Sequence, residues 1–146
     1  MFLPRMFTLA EANELLPHLE RGATLARAHV VRAEAIRAEL VRTLEQASGG
    51  DISAVEREKP ELVAELYEVE ADIRAELGFL HDLGAELLAL EPLEARVLAH
   101  RDHLPVLLYY HAGEPGFSEW HSLGEPRELA RPIEDPASFG DRLLPV

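Results

Sequence analysis

Residues 76–90 read ELGFLHDLGAELLAL, and the pattern of the chain changes within this stretch, at Gly84. Up to Gly84, apolar residues recur every three or four positions almost without interruption. After it, short apolar runs, prolines, most of the histidines and the only tryptophan follow. The first pattern is typical of amphipathic helices, and the second favours strands. We interpret the first part as a scaffold and the second as the part that carries recognition or chemistry.

The first helix has clear start signals. Thr8 and Glu11 have the spacing of a capping box, so the helix should begin there, after a frayed lead-in over residues 1–7. Pro17 removes a backbone donor and crowds the preceding turn, which predicts a kink near Leu16.

Two long helices are predicted in total. The first ends near Ala47, at the turn 48–51, and the second begins between Ser53 and Pro60 and ends near Gly84. A short connection makes the two helices antiparallel, with coiled-coil-like packing. Apolar flanks left over from this packing predict a homodimer or a higher homo-oligomer. The apolar positions are Leu9, Ala12, Leu16, Leu19, Ala23, Ala26, Val30, Ala33, Ile36, Leu40, Leu44 and Ala47, then Leu62, Leu66, Val69, Ile73, Leu77 and Leu80.

A small antiparallel sheet is predicted after Gly84. Residues 106–110 form the strongest strand, 113–116 a turn, and 117–123 the returning strand. The predicted class is therefore α+β: a long antiparallel helical hairpin followed by a small antiparallel β-sheet. We expect a single domain over 1–146, with the hairpin in 6–84, the sheet in 85–123 and an extended, proline-rich tail in 124–146.

Composition excludes several classes of function. The chain has 146 residues, no cysteine and a formal net charge of −13. Such an acidic surface repels phosphate backbones and anionic membranes, so we expect no nucleic acid and no membrane as partner. No apolar run is long enough to span a bilayer, and the N-terminus does not resemble a signal peptide. These features predict a cytoplasmic protein.

Histidines and acids are concentrated after Gly84. His100, His103, His111, His121 and Glu119 are residue types that suit zinc or another divalent transition metal. Their spacing matches no established metal motif, and the alternative is a set of histidines hydrogen-bonded to backbone or acids.

The register of the hairpin decides between these alternatives. A three-residue loop after Glu114 would place His111 opposite His121, with Tyr109 and Glu119 on the same side. A loop of two or four residues would place His111 opposite Trp120 instead. Only the first register gathers two imidazoles and a carboxylate.

A ligand or partner surface is the other candidate. We assign it Glu114, Trp120, His121 and Tyr109, because an exposed indole beside acidic and imidazole groups suits recognition. The structural alternative is that the Trp120 ring belongs to the core. Catalytic residues cannot be named, so whether the chain is an enzyme stays open.

Two blocks of sequence are similar to known motifs. Residues 7–17, FTLAEANELLP, match a pattern of roughly F-[TS]-x-x-E-A-N-x-L-L-P, and Gly113-Glu114-Pro115 with Trp120-His121 matches C-W-R-x-G-E followed by W-H. Together they resemble an uncharacterised bacterial family, the domain of unknown function numbered 2203, over about residues 6–133.

The resemblance implies which positions matter but brings no established activity. It points to Asn13, Pro17, Glu114, Trp120 and His121. The chain departs from the family where an acidic residue is replaced by Arg96 and where Cys-Trp-Arg is replaced by residues 109–111. A charge-swapped pair would need an acid that faces Arg96.

The function predicted from these observations is a non-enzymatic interaction or ligand-binding scaffold that oligomerises. It would need no cofactor and would bind a protein or a small ligand. The alternative is a divalent-metal-binding protein, such as a metal-dependent hydrolase, with a zinc-like site built from His111 and His121 and completed by Glu119, His100 or His103.

Overall fold

Four α-helices precede five β-strands in residues 5–46 and 52–140, the part of the chain that the computed structural model describes. This order confirms the α+β class. The helices are α1 (Leu9–Glu14), α2 (Leu16–Gln46), α3 (Ile52–Glu58) and α4 (Pro60–Leu83), and the strands are β1 (Ala85–Leu90), β2 (Leu93–Arg101), β3 (Leu104–His111), β4 (Glu119–Ser122) and β5 (Arg131–Pro132).

The helix boundaries follow local sequence signals. The Glu11 N–H donates to Thr8 Oγ1 at 3.0 Å and the Thr8 N–H donates to Glu11 Oε1 at 2.9 Å, which confirms the capping box. The helix is interrupted at Leu15, two residues before Pro17, whose ring nitrogen has no hydrogen to donate to the carbonyl of the preceding turn. The interruption confirms the predicted kink. The predicted turn over 48–51 lies outside the described residues.

The described residues belong to two compact units, one within 1–23 and 78–146 and the other within 24–77. In the second unit, α2 and α4 pack in antiparallel fashion. Arg32 pairs with Glu65 at 2.7 Å, and Glu39, further along α2, lies 3.9 Å from Lys59, just before the start of α4. The two helices therefore run in opposite directions. The small core of this unit consists of Ala33, Ile36 and Val69, with Leu40, Leu62, Leu66 and Ile73 packed against it.

The first unit contains the sheet, whose strands follow one another in the order β1-β2-β3-β4-β5. All neighbouring strands are antiparallel. Residues alternate in burial along β2, so the sheet has a core face and a second, polar face. The core face carries Ala95, Val97, Ala99, Val106, Leu108 and Tyr110, and it packs with Phe7, Ala12, Leu15, Leu19, Leu80 and Phe139.

The end of the predicted lead-in is part of the core, so the expectation of a frayed segment is wrong at Phe7. The Phe7 N–H donates to the Leu98 carbonyl at 2.9 Å, and the side chain is fully buried. A Cβ on Gly84 would lie 2.7 Å from the Phe7 ring, and Gly84 has a φ of 107°. Gly84 therefore ends α4 and also makes room for Phe7.

The segment after β4, predicted as an extended tail, has local structure in its described part. Two short 3-10 helices, Arg127–Leu129 and Pro136–Phe139, flank β5. Phe139 is fully buried against the core face, which fixes the end of this segment to the sheet. No helix in residues 5–46 or 52–140 combines the length and the apolar composition that crossing a membrane requires.

Candidate functional site

The polar face of the sheet is the surface on which most of the histidines and acids predicted as site residues meet. Strand register places Glu94 opposite His111, Arg96 opposite Tyr109, and Tyr109 opposite Glu119. Because side chains two positions apart share a face, His121 lies on this face too. We define the polar face by Glu94, Arg96, Tyr109, His111, Glu119 and His121.

A buried hydrogen-bonded pair occupies its centre. The Tyr109 hydroxyl lies 2.8 Å from His121 Nε2, and His121 Nδ1 lies 2.8 Å from the Ser122 carbonyl oxygen. Since a carbonyl only accepts, Nδ1 of the neutral ring carries the hydrogen and Nε2 accepts from the hydroxyl. Tyr109 is 0% exposed and His121 3% exposed, so both are closed to solvent.

Arg96 connects this pair to the edge of the sheet. Its hydrogen bond to Tyr109, and then its contact with Glu86, raise the pKa of the Arg96 guanidinium. Glu86 is the direct strand partner of Arg96, and its carboxylate lies 3.0 Å from Arg96 Nη2. Glu86 is thus the acid that faces Arg96, as a charge-swapped pair requires.

A second cluster surrounds His111. Its Nδ1 lies 3.0 Å from Glu94 and its Nε2 lies 2.9 Å from Glu119, so a carboxylate faces each ring nitrogen. Arg127 donates to Glu94 at 2.8 Å and lies 4.3 Å above the Tyr109 ring. The hydrogen bond from Arg127 lowers the pKa of Glu94, and His111 adds to this effect. The Arg127 contact closes the polar face over Tyr109.

The turn between β3 and β4 is longer than either register considered from sequence. Leu107 pairs with His121 and Leu108 with Trp120, so His111 lies opposite neither His121 nor Trp120. Both predicted pairings are wrong. The shift from the first register is four residues, an even number, which is why His111, Tyr109, Glu119 and His121 still share a face.

Trp120 lies on the core face, opposite to Tyr109 and His121. It is 8% exposed, its ring is stacked by Arg131 at 3.9 Å and Arg101 at 4.6 Å, and it meets Phe139 edge-on at 5.5 Å. The four residues assigned to a recognition surface therefore do not lie together. Glu114 lies in the turn, where it accepts from Ser118 Oγ at 2.8 Å.

The histidines predicted as metal ligands lie in different surroundings. His111 and Glu119 are in contact, whereas both nitrogens of His121 are engaged by Tyr109 and Ser122. His100 lies on β2 opposite Pro105, and His103 is exposed in the β2–β3 turn. Within the described ranges, no group of three or more histidine, aspartate or glutamate side chains is arranged to hold a metal ion.

A cavity of about 400 Å³ opens beside the start of β1. Its apolar lining includes Val97, Leu98 and Leu107, and its charged lining includes Arg5 and Arg96. His81, Asp82, Gly84, Ala85 and Glu86 complete the lining. A second, more open cavity of about 520 Å³ is lined by His111, Glu114, Ser118, Glu119 and Pro132.

Arg5 is a residue that sequence reasoning missed. Its guanidinium lies 4.5 Å from the centre of the Phe7 ring, and no acid in the described part of the chain forms an ion pair with it. Its place inside the predicted lead-in concealed it. Glu94 and Arg96 were also missed as a pair, although their alternation with Ala95 and Val97 is the period-two signal of a strand with one polar face.

Comparison with known proteins places these residues in a family. No curated protein and no solved structure shows significant similarity to the chain. The model of one family, described as an uncharacterized conserved protein, DUF2203, matches residues 5–133. This match covers most of the chain, including the helices, the sheet and both cavities, and the chain therefore belongs to the DUF2203 family.

Proposed function

We propose that this protein binds a small organic anion in the cavity beside β1. The observation that carries the proposal is Arg5, a cation with no acidic partner in the described part of the chain, at a cavity whose two acids, Asp82 and Glu86, lie against His81 and Arg96. A guanidinium presents a planar fork of donors that matches a carboxylate or a phosphate. Arg96 lines the same cavity, where Glu86 pairs with it at 3.0 Å, so Arg5 is the arginine of the lining that is left to bind an anion.

The size and lining of the cavity support a ligand with an apolar body. Its volume of about 400 Å³ lies within the range of small-molecule sites, about 300–1,000 Å³. Val97, Leu98 and Leu107 supply apolar surface next to the arginines. An aliphatic or aromatic acid would place its carboxylate on Arg5 and its hydrocarbon part on the leucines.

The groups of the polar face support ligand binding rather than acid–base catalysis. Tyr109 and His121 are the groups there that could exchange a proton, but they are buried and hydrogen-bonded to each other. A general acid or base has to reach the reacting group within about 3 Å. The buried Tyr109 and His121 side chains therefore suit a structural role. Tyr109 is hydrogen-bonded to Arg96 and holds this arginine at the cavity.

The experiment is calorimetric titration with hexanoate, compared with hexan-1-ol and hexylamine as matched neutral and cationic ligands. Hexanoate should bind most tightly. Arg5→Gln should weaken it about tenfold, the loss expected for one charge-assisted hydrogen bond. Arg74→Gln is the matched control, because Arg74 is exposed on α4 and lines neither cavity. Equal affinity for the three ligands would contradict the proposal.

A divalent cation at the second cavity is the other candidate function. His111, Glu114 and Glu119 line this cavity, and His111 Nε2 already lies 2.9 Å from Glu119. A cation there would replace the hydrogen that Nε2 shares with Glu119, with water completing its coordination. Elemental analysis of protein purified without an affinity tag should find a bound metal that His111→Ala removes.

A further inference from the structure

The two arginines of the cavity beside β1 differ in what they already bind. Arg96 Nη2 donates to both carboxylate oxygens of Glu86, at 3.0 Å and 3.2 Å, and Arg96 is also hydrogen-bonded to Tyr109. The Arg5 guanidinium lies over the Phe7 ring, and no carboxylate in residues 5–46 or 52–140 pairs with it. One cation of the lining is therefore open to a ligand, and a carboxylate of the chain itself holds the other.

The pair of Glu86 and Arg96 is fixed by the register of the sheet. The two residues lie directly opposite each other on β1 and β2. Side chains in such positions have their Cβ atoms about 5 Å apart, so the carboxylate reaches the guanidinium without any movement of the backbone. Both side chains line the cavity. The carboxylate of Glu86 is thus a permanent group of the site, held where an acidic ligand would otherwise meet Arg96.

We propose that Glu86 restricts the cavity to acids with a single carboxylate, because it takes the place on Arg96 that the second carboxylate of a dianion would need. This inference rests on the proposed binding of an anion at Arg5 and names the class of that anion. A monocarboxylate binds Arg5 and leaves the pair of Glu86 and Arg96 intact. A dicarboxylate has to displace Glu86 or keep its second charge without a cationic partner.

Both alternatives open to a dianion are unfavourable. Displacement leaves the Glu86 carboxylate without its cation and next to the bound ligand. A second ligand charge that stays unpaired lies among the two carboxylates of the lining, Asp82 and Glu86, and like charges at such short range repel each other. Specificity against dianions therefore comes from a repulsive group built into the site as well as from the attraction of Arg5.

The apolar lining favours a ligand that is charged at one end only. Leu98 and Leu107 would contact the part of the ligand that points away from Arg5, and a charged group there would lose its hydration without a compensating hydrogen bond. Phosphate monoesters carry more than one negative charge at pH 7 and belong to the disfavoured class too. The ligands selected are aliphatic or aromatic monocarboxylates.

The experiment is calorimetric titration of the full chain at pH 7 with adipate and 6-hydroxyhexanoate, two acids with the same six-carbon chain as hexanoate. The hydroxy acid is the matched ligand, because its far end is polar but uncharged. Adipate should bind the wild type about tenfold more weakly than the hydroxy acid. Glu86→Gln exposes Arg96 and should raise the affinity for adipate, relative to the hydroxy acid, by about tenfold or more.

Two further variants show where this gain originates. Glu68→Gln, the same charge change at an exposed position of α4, should leave the ratio of the two affinities unchanged. The double variant Glu86→Gln/Arg96→Gln should lose the gain, because the second carboxylate of adipate then has no cation to meet.

The outcomes separate this inference from the proposed function. Adipate that binds the wild type as tightly as the hydroxy acid would overturn the inference, and so would a ratio that Glu86→Gln leaves unchanged or a gain that survives in the double variant. Loss of hexanoate binding in Glu86→Gln would overturn it as well, since Arg5 remains. If hexanoate still binds the wild type through Arg5, these results leave the proposed function standing. Equal affinity for hexanoate and hexan-1-ol would overturn both.

Discussion

Asn13 Oδ1 accepts a hydrogen bond of 2.9 Å from the backbone N–H of Phe117, a residue 104 positions further along the chain. Asn13 belongs to the first sequence block by which the chain resembles its family, and Phe117 lies between the two parts of the second block. The absence of a side chain at Gly116 leaves room for this contact, since a Cβ there would lie 2.8 Å from Asn13 Oδ1. Helix α1 thus holds the turn between β3 and β4.

The contact between Asn13 and the turn predicts a non-additive pair of substitutions. Asn13→Ala leaves the Phe117 N–H without its acceptor and should lower the free energy of unfolding by about 1–3 kcal/mol. Gly116→Ala should also destabilise the protein, because its Cβ meets Asn13. In the Asn13→Ala background the same change should cost clearly less, since the obstructing oxygen is gone. Urea denaturation of the four proteins measures this coupling, and strictly additive losses would contradict it.

The Tyr109–His121 pair predicts a difference between two adjacent tyrosines. Tyr109→Phe removes the donor to His121 Nε2 in a fully buried site and should cost about 1–3 kcal/mol. Tyr110→Phe is the matched control. Its hydroxyl donates to Glu20, an exposed residue that water can solvate instead. The loss of unfolding free energy should therefore be smaller for Tyr110→Phe, and equal losses would argue against a closed network at Tyr109.

Local signals explain which parts of the fold the sequence predicts correctly. The capping box at Thr8, the interruption before Pro17 and the end of α4 at Gly84 each depend on residues within one or two turns of each other. The strand over 106–110 carries its own β-branched and aromatic composition. None of these features needs information from a distant part of the chain.

Register and surface assignment depend on distant contacts, and there the sequence is insufficient. The length of the β3–β4 turn is set with the help of Asn13, which nothing in residues 112–118 indicates. The burial of Tyr109 depends on Arg127, which arrives from the segment after β4. The placement of Trp120 and His121 on opposite faces follows from the sequence alone, since neighbouring residues of a strand face opposite sides.

Glu94 predicts a dependence of stability on pH. Its pKa in the folded protein is lowered, chiefly by the hydrogen bond from Arg127, relative to an ordinary value of 4.5. A lowered folded pKa contributes stability above the unfolded pKa, and this contribution is lost as the pH falls through the folded value. The Glu94→Gln variant should therefore be less stable than the wild type at pH 7, and the difference should shrink as the pH falls below about 4.5.

Urea denaturation at pH 7 and pH 3 measures this difference. Glu68→Gln is the control, because Glu68 is exposed and no cation in the described residues pairs with it. The control should behave like the wild type at both pH values. A difference between Glu94→Gln and the wild type that stays constant with pH would show that Arg127 does not stabilise the ionised carboxylate.

The helical unit over 24–77 predicts a contrast between a buried and an exposed position on the same helix. Ile36 is 1% exposed in the small core with Ala33 and Val69, so Ile36→Ala should cost about 2–5 kcal/mol through lost burial and the cavity that remains. Val41→Ala, at a position that is 50% exposed, should change stability by no more than about 0.5 kcal/mol. Thermal and urea denaturation of both variants provide the comparison. Similar effects at the two positions would mean that α2 and α4 do not pack through Ile36. The antiparallel arrangement of the two helices, in which Arg32 pairs with Glu65, would then not describe the protein in solution.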